Sequence, residues 1–256
     1  MTFSCPVYPK VNVFLKVLGK KGGYHLLRSR LCLVLSLSDM LSVKSAPKFS
    51  LKGNFGCAPE NNTIYKAWQF LKEGISPTLR PRLEQISIEV DKQIPLGGGL
   101  GGSSADAGVF LREVNQHLEL GLGLEQLYQI GARVGMDVNF FISGFMSANV
   151  HHFGEVVQEF KEEPLSVQFC TPPLECATTK VYGALRAFCD FNPAWLTTPS
   201  LKLLQTHSAN ELNDLLAPAL ECYPTLTEWA QRLDKNYAWF FSGSGASFFR
   251  LKGGSK

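Results

Sequence analysis

Pro95-Leu96-Gly97-Gly98-Gly99-Leu100-Gly101-Gly102-Ser103-Ser104 is the stretch on which the reading of this chain turns. Five of its residues are glycine. Glycine loses more conformational freedom on folding than any other residue, so such a run is costly unless bare backbone is wanted. Bare N–H groups can close around a phosphate, and a helix starting directly after them adds its own free N–H groups and the positive end of its dipole. Upstream, Ile86, Ile88 and Val90 alternate and predict a strand. Downstream, Ala107, Leu111, Val114 and Leu118 recur at helical spacing. The unit is therefore strand, glycine loop, helix. Ser103 and Ser104 stand at the helix start, where hydroxyls can cap the helix or meet phosphate oxygens and a metal.

Three readings of the loop compete. A Walker A loop needs Lys followed by Ser or Thr after its last glycine, and Gly102 is followed by Ser103. The pattern GxGxxG is met by Gly97, Gly99 and Gly102, which would suit a dinucleotide-dependent oxidoreductase. That pattern stands outside any run of βαβ units, and no acidic residue ends a second strand about 20 positions on. A flexible turn before a Ser-capped helix leaves the glycines without a purpose. The third reading is a phosphate loop of another kind, with the dinucleotide-dependent oxidoreductase as its rival.

Outward from the loop, the chain of 256 residues is 45% hydrophobic and 18% charged. This excludes a disordered, collagenous or coiled-coil protein. A net charge of +3 does not argue for nucleic acid as the main partner. The seven Cys form no CxxC pair, so neither a disulfide framework nor a zinc site is indicated, and His151-His152 lacks a third ligand at metal spacing. The apolar run from Leu31 to Leu37 is far short of the roughly 20 residues needed to span a bilayer. With no apolar signal core at the N-terminus, the expectation is a soluble cytoplasmic protein without membrane contact.

Val11, Val13, Leu15 and Val17 predict a half-buried strand, with Lys10 and Asn12 on the opposite face. A glycine turn, Gly19 to His25, follows. Strands are expected within Leu31–Val43 and at Ser166–Cys170, Tyr237–Phe241 and Ala246–Leu251. Helices are expected around Ile64–Leu71, at Leu124–Val134 up to Gly135, and at Thr179–Phe188 and Asn210–Leu220. Strands and helices do not alternate regularly, which argues for two α+β domains rather than one doubly wound sheet. The charged, Pro-ended break Lys161–Pro164 places a boundary between about 145 and 165. Asp137, in the otherwise apolar segment 136–144, is a carboxylate that needs a partner: it could cap the next helix or accept a proton.

The loop Pro95–Gly102, with Ser104, Asp106 and Ala107 after it, resembles the ATP loop of the GHMP kinase superfamily. Lys10-Val11-Asn12 and Gly23-Tyr24-His25 resemble its PAKxN and GYH signatures. Gly135-Met136-Asp137-Val138 with Phe140-Phe141 and Gly144 resembles GADVPFFxxG, Asn213-Asp214-Leu215 its N-D-F/L element, and Ser242–Gly245 its late GSG loop. The matches run in order over essentially the whole chain. Departures are Tyr8 and Pro9 for Pro and Ala, Ser103 for Gly, Ala105 for Ser, Asn139 for Pro and His152 for Gly. Ala105 deletes one hydroxyl from the loop.

The resemblance implies a two-domain α+β fold, an N-terminal ATP-binding domain like ribosomal protein S5 domain 2 over 1–152 and a ferredoxin-like C-terminal domain over 153–256. It implies ATP and Mg²⁺ as cofactors, and transfer of the γ-phosphoryl group to an alcohol. The GYH turn points to the branch whose acceptor is a cytidine diphosphate alcohol, phosphorylated on its 2-hydroxyl in the non-mevalonate (MEP) isoprenoid pathway. Homoserine, mevalonate and galactose kinases share the loop but have no cytosine to bind. On that resemblance Lys10 and Asp137 are the catalytic pair, Asp137 as general base and Lys10 as its ion-pair partner beside the transferring phosphoryl group. Pro95, Gly97, Gly98, Gly99, Leu100, Gly101, Gly102, Ser103 and Ser104 carry the nucleotide phosphates, with Lys92 and Asn62 at the adenine. Asn12 holds the acceptor, and Tyr24, His25, Thr179 and Tyr182 take the cytosine. No protein-held metal site is implied, and the expected state is a monomer or weak homodimer.

Overall fold

The computed structural model describes residues 2–253. The chain forms two compact units, each assembled from separated segments. The first takes the chain up to Pro9 with Leu37–Leu96 and Gly102–Gly144, the second takes Lys10–Ser36, Gly97–Gly101 and Phe145 onward. Among the described residues no helix is long and apolar enough to cross a membrane.

The first unit holds a four-stranded sheet of β1 (Thr2–Val7), β4 (Asp39–Ser45), β6 (Ile86–Asp91) and β5 (Ser50–Gly53), in that order. Its pairs are antiparallel except β5 with β6. In β6, Ile86, Ile88 and Val90 point into the core, as their alternation requires. Among the described residues five helices complete the unit: α1 (Thr63–Gly74), α2 (Arg80–Glu84), α3 (Gly102–His117), α4 (Leu124–Val134) and α5 (Val138–Ser143). α1 buries Ile64, Ala67 and Leu71, one stripe of an amphipathic helix. α3 differs from the expected one-faced helix, because every residue from Ala105 to Leu111 is buried. Small residues permit this. A Cβ on Gly108 would lie 2.6 Å from the Phe141 Cβ and 2.7 Å from the Val138 carbonyl oxygen, so only glycine lets α5 approach so closely.

The second unit contains an antiparallel sheet ordered β2 (Lys10–Lys21), β3 (Tyr24–Leu33), β7 (Ser147–His152), β8 (Val156–Glu159). A second antiparallel sheet is ordered β10 (Phe240–Phe241), β11 (Phe248–Leu251), β9 (Val167–Cys170). The predicted half-buried strand is longer than its apolar pattern and is buried on both faces from Lys10 to Val17. β2 and β3 form a hairpin closed by Gly22-Gly23, and Lys21 pairs with Tyr24. Its register shifts between Asn12 and Phe14, where Val13 is the extra residue.

Among the described residues this unit has five short helices: α6 (Thr178–Gly183), α7 (Ser200–Thr206), α8 (Ala209–Leu212), α9 (Leu216–Cys222) and α10 (Pro224–Arg232). Two expectations are corrected here. The helix expected to reach Phe188 ends at Gly183. The helix expected over Asn210–Leu220 is broken at Asn213-Asp214, whose side chains bond backbone elsewhere. Asn213 Nδ2 donates to the carbonyls of Phe241 and Gly243, while Asp214 accepts from the Val17 N–H and pairs with Lys16.

Candidate active site

Lys10 opens β2 and is only 3% exposed. Its Nζ donates to Asn12 Oδ1 at 2.7 Å and to the Gly99 carbonyl at 2.9 Å. Its backbone N–H donates to the Leu100 carbonyl at 2.9 Å. Strand and glycine loop are thus tied by backbone and side chain at one point. Gly99 has φ +72°. A Cβ there would lie 2.3 Å from the Ser242 carbonyl oxygen and 2.8 Å from that of Gly245, so the loop tolerates no side chain at this residue. The late glycine loop closes on the other side: Ser242 Oγ donates to the Gly99 carbonyl at 3.0 Å, and the Ser247 N–H donates to the Gly98 carbonyl at 3.0 Å. Asn213 holds this second loop through Gly243, so the N-D element has a definite task. Within the first loop Leu100 is buried, Gly98 is buried and Gly97 is exposed beneath the side chain of Glu175.

Tyr24 and His25 begin β3, where the hairpin turn presents them. Tyr24 is 55% exposed and packs against Phe153, with ring centroids 5.2 Å apart. The His25 ring lies 4.7 Å from that of Tyr182 and meets Phe188 edge-on at 6.5 Å. His25 Nε2 is enclosed and has no hydrogen-bond partner among the described residues. Burial, aided by the Lys20 charge, holds this imidazole below its ordinary pKa, so it is neutral at pH 7. Thr179 is exposed, and it is the preceding Thr178 whose hydroxyl bonds that of Ser244 at 2.9 Å. Thr178 and Phe153 lie outside every motif of the sequence. An aromatic next to the turn-forming Gly154 was the one available signal.

In the first unit, Asp137 precedes α5 and is partly buried. Its carboxylate makes no capping bond to the helix, so capping is not its task. Lys92, at the end of β6, has its ammonium between two buried carboxylates. It pairs with Asp39 and lies 2.7 Å from Asp106 Oδ2. Asp39 also accepts from the Ile94 N–H at 2.7 Å, which fixes the chain entering the glycine loop at Pro95, itself partly buried. Asp106 Oδ1 is buried with no hydrogen-bond partner among the described residues, and burial raises the Asp106 pKa to about 7. Asn62 is buried and its Oδ1 accepts from the Ile64 N–H at 2.7 Å, capping α1. The α1 start is tied to the end of the glycine loop, because Thr63 Oγ1 donates to the Ser103 carbonyl at 2.7 Å. Ser103 is exposed, while Gly102, Gly101 and Ser104 are partly exposed. Among the described residues no group of three or more His, Cys, Asp or Glu could hold a metal ion.

Residues 62–145 match the family model described as GHMP kinases N terminal domain. The 4-diphosphocytidyl-2-C-methyl-D-erythritol kinase of Helicobacter acinonychis is 48% identical, covering 98% of this chain and 97% of its own length. Those of Helicobacter pylori strain J99 and Sulfurimonas denitrificans are 47% and 44% identical over 100% and 96% of this chain, and 97% and 95% of their own lengths. A crystal structure of 4-(cytidine 5'-diphospho)-2C-methyl-D-erythritol kinase matches with a TM-score of 0.80 and 28% identity, covering 98% of this chain and 91% of that one. Methanococcus jannaschii mevalonate kinase, 13% identical with a TM-score of 0.59 over 98% of this chain and 90% of its own, shares the fold. With nearly half its positions identical to such relatives along essentially its whole length, the chain belongs to the 4-diphosphocytidyl-2-C-methyl-D-erythritol kinases, within the GHMP kinases.

Proposed function

We propose that this protein transfers the γ-phosphoryl group of ATP to the 2-hydroxyl of 4-diphosphocytidyl-2-C-methyl-D-erythritol, as a step of the non-mevalonate isoprenoid pathway. The observation that carries the reading is the Lys10 ammonium held on the glycine-loop carbonyl of Gly99. Phosphoryl transfer asks a protein mainly for positioning and charge stabilisation. The loop Pro95–Ser104 receives the phosphates on bare backbone and on the α3 N-terminus. Lys10 stabilises charge gathering on the equatorial phosphoryl oxygens. The acceptor oxygen bonds to the γ-phosphorus, the bridge to the β-phosphate breaks and ADP leaves. Asp137, the carboxylate at the head of α5, takes the acceptor's proton.

Asn12 holds the acceptor end. Tyr24 and Tyr182 stack on the cytosine and His25 bonds its edge. The neutral imidazole, with an unbonded Nε2, suits that task. Thr179, or its neighbour Thr178, completes this side. Lys92 and Asn62 serve the adenine indirectly, by holding the chain segments around it, since their polar heads are engaged inside the protein. Asp106 gives one oxygen to Lys92 and buries the other, so the side-chain donors left for Mg²⁺ at the α3 start are the Ser103 and Ser104 hydroxyls. These are hard oxygens that suit Mg²⁺, which commonly takes most of its shell from substrate phosphates and water, and when bound it neutralises phosphate charge. We also propose the module division 1–152 for ATP binding and 153–256 for the remainder, and a cytoplasmic monomer or weak dimer. A melting experiment tests the nucleotide assignment. A non-hydrolysable ATP analogue with Mg²⁺ raises Tm and NAD(P) does not. The opposite pattern would favour the oxidoreductase reading of Gly97, Gly99 and Gly102.

A further inference from the structure

A chain of hydrogen bonds behind Lys10 ends on a residue with no role so far. Lys10 Nζ donates to Asn12 Oδ1 at 2.7 Å, Asn12 Nδ2 donates to Ser29 Oγ at 2.8 Å, and Ser29 Oγ donates to the Phe14 carbonyl. Lys10, Asn12 and Ser29 are 3%, 5% and 2% exposed, so water does not compete for these bonds. The direction of the chain is fixed by chemistry alone. An ammonium only donates and a peptide carbonyl only accepts. Between those two ends the Asn12 amide has one possible orientation and the Ser29 proton one possible place. Phe14 follows the register shift of β2, so the acceptor at the far end is set by the bulge itself.

From this we infer that Ser29 is a positioning residue for phosphoryl transfer: its hydroxyl locks the Asn12 amide with Oδ1 toward Lys10 and so aims the Lys10 ammonium. The inference rests on the kinase reading above. Removing the hydroxyl frees the amide to rotate, and a rotated amide presents its NH₂ group to the ammonium, donor against donor.

The test measures kcat and KM for ATP and for the cytidine diphosphate alcohol in wild type, Ser29→Ala, Ser29→Cys, Asn12→Ala and the double variant Asn12→Ala/Ser29→Ala. Alanine leaves a small void where the hydroxyl was, whereas cysteine is larger than serine and leaves none but bonds weakly, so a loss shared by both variants is one of hydrogen bonding rather than of packing. Both Ser29 variants are expected to lose about tenfold in kcat, the worth of one well-placed hydrogen bond, with KM for ATP unchanged. The loss at Ser29 is expected to vanish in the Asn12→Ala background, because the two act in one chain. Wild-type kcat in Ser29→Cys, or a Ser29 effect that persists undiminished without Asn12, would overturn the inference while leaving the kinase reading intact. Absence of activity in the wild type would overturn both.

Discussion

Replacing Lys10 by Met keeps an unbranched side chain, shortens it by one atom and removes its charge. Three consequences follow from the geometry. Asn12 Oδ1, bonded to Nζ at 2.7 Å, is left facing a methyl group in a buried site. An unmade hydrogen bond of that kind costs about 1–3 kcal/mol. The Gly99 carbonyl keeps the Ser242 hydroxyl at 3.0 Å, so the loop retains one of its two side-chain ties there. Folding also no longer has to bury an ammonium, which offsets part of the loss. The net change in stability is therefore small, about 2–4 °C in Tm for each kcal/mol in a chain of this size. The catalytic change is much larger, because the cation acts where charge develops. Loss of one such group lowers kcat by about 10²–10³-fold. Steady-state ADP release with ATP and the cytidine diphosphate alcohol, together with a melt of each protein, reads both quantities. A folded Lys10→Met variant with wild-type kcat refutes the role given to this ammonium.

The remaining predictions concern the other ends of the site. Tyr24→Ala is expected to weaken the cytidine substrate by about 1–3 kcal/mol, the worth of stacking one base, without changing KM for ATP. Equal weakening of both ligands in titration calorimetry would show that the ring is misassigned. Asp137→Asn is expected to lower kcat by about 10²–10⁴-fold with modest change in binding, and near-normal turnover would remove its role as base. Asp106 has its pKa raised to about 7 by burial. The folded state therefore holds its proton more tightly than the unfolded chain does. The stability this contributes is complete below about pH 4 and is lost as pH rises through about 7. Denaturant melts across that window are expected to show a flatter pH dependence for Asp106→Asn than for wild type, and an unchanged slope would contradict this.

The strand–loop–helix unit around Pro95–Ser104 was legible because each part has a distinct local pattern: alternation in β6, bare glycines, then helical spacing in α3. Its neighbours α1 and α4 were legible for the same reason. The break between α8 and α9 was not, since Asn213 and Asp214 fit a helical period until the backbone groups they bond are known. The charged stretch Lys161–Pro164 reads as a solvated break, yet the Glu162 carboxylate accepts from the Ser147 hydroxyl at 2.7 Å and the Ser200 N–H at 2.9 Å. Lys10 and Asn12 were found through their motif and their shared strand face. Ser29 was invisible because its partners lie 15 and 17 residues away and are chosen by a register shift that no pattern announces. Lys92 was found but its surroundings were not, because Asp39 is 53 residues distant.

The most direct test of the central claim is a single phosphorylation assay with ATP and Mg²⁺, offering 4-diphosphocytidyl-2-C-methyl-D-erythritol beside homoserine and mevalonate and following the product by phosphorus NMR. The account predicts a new phosphate monoester on the 2-hydroxyl of the cytidine diphosphate alcohol, with ADP released in equal amount and neither competitor phosphorylated. Phosphorylation of homoserine or mevalonate in its place, or no transfer to any of the three, would contradict it.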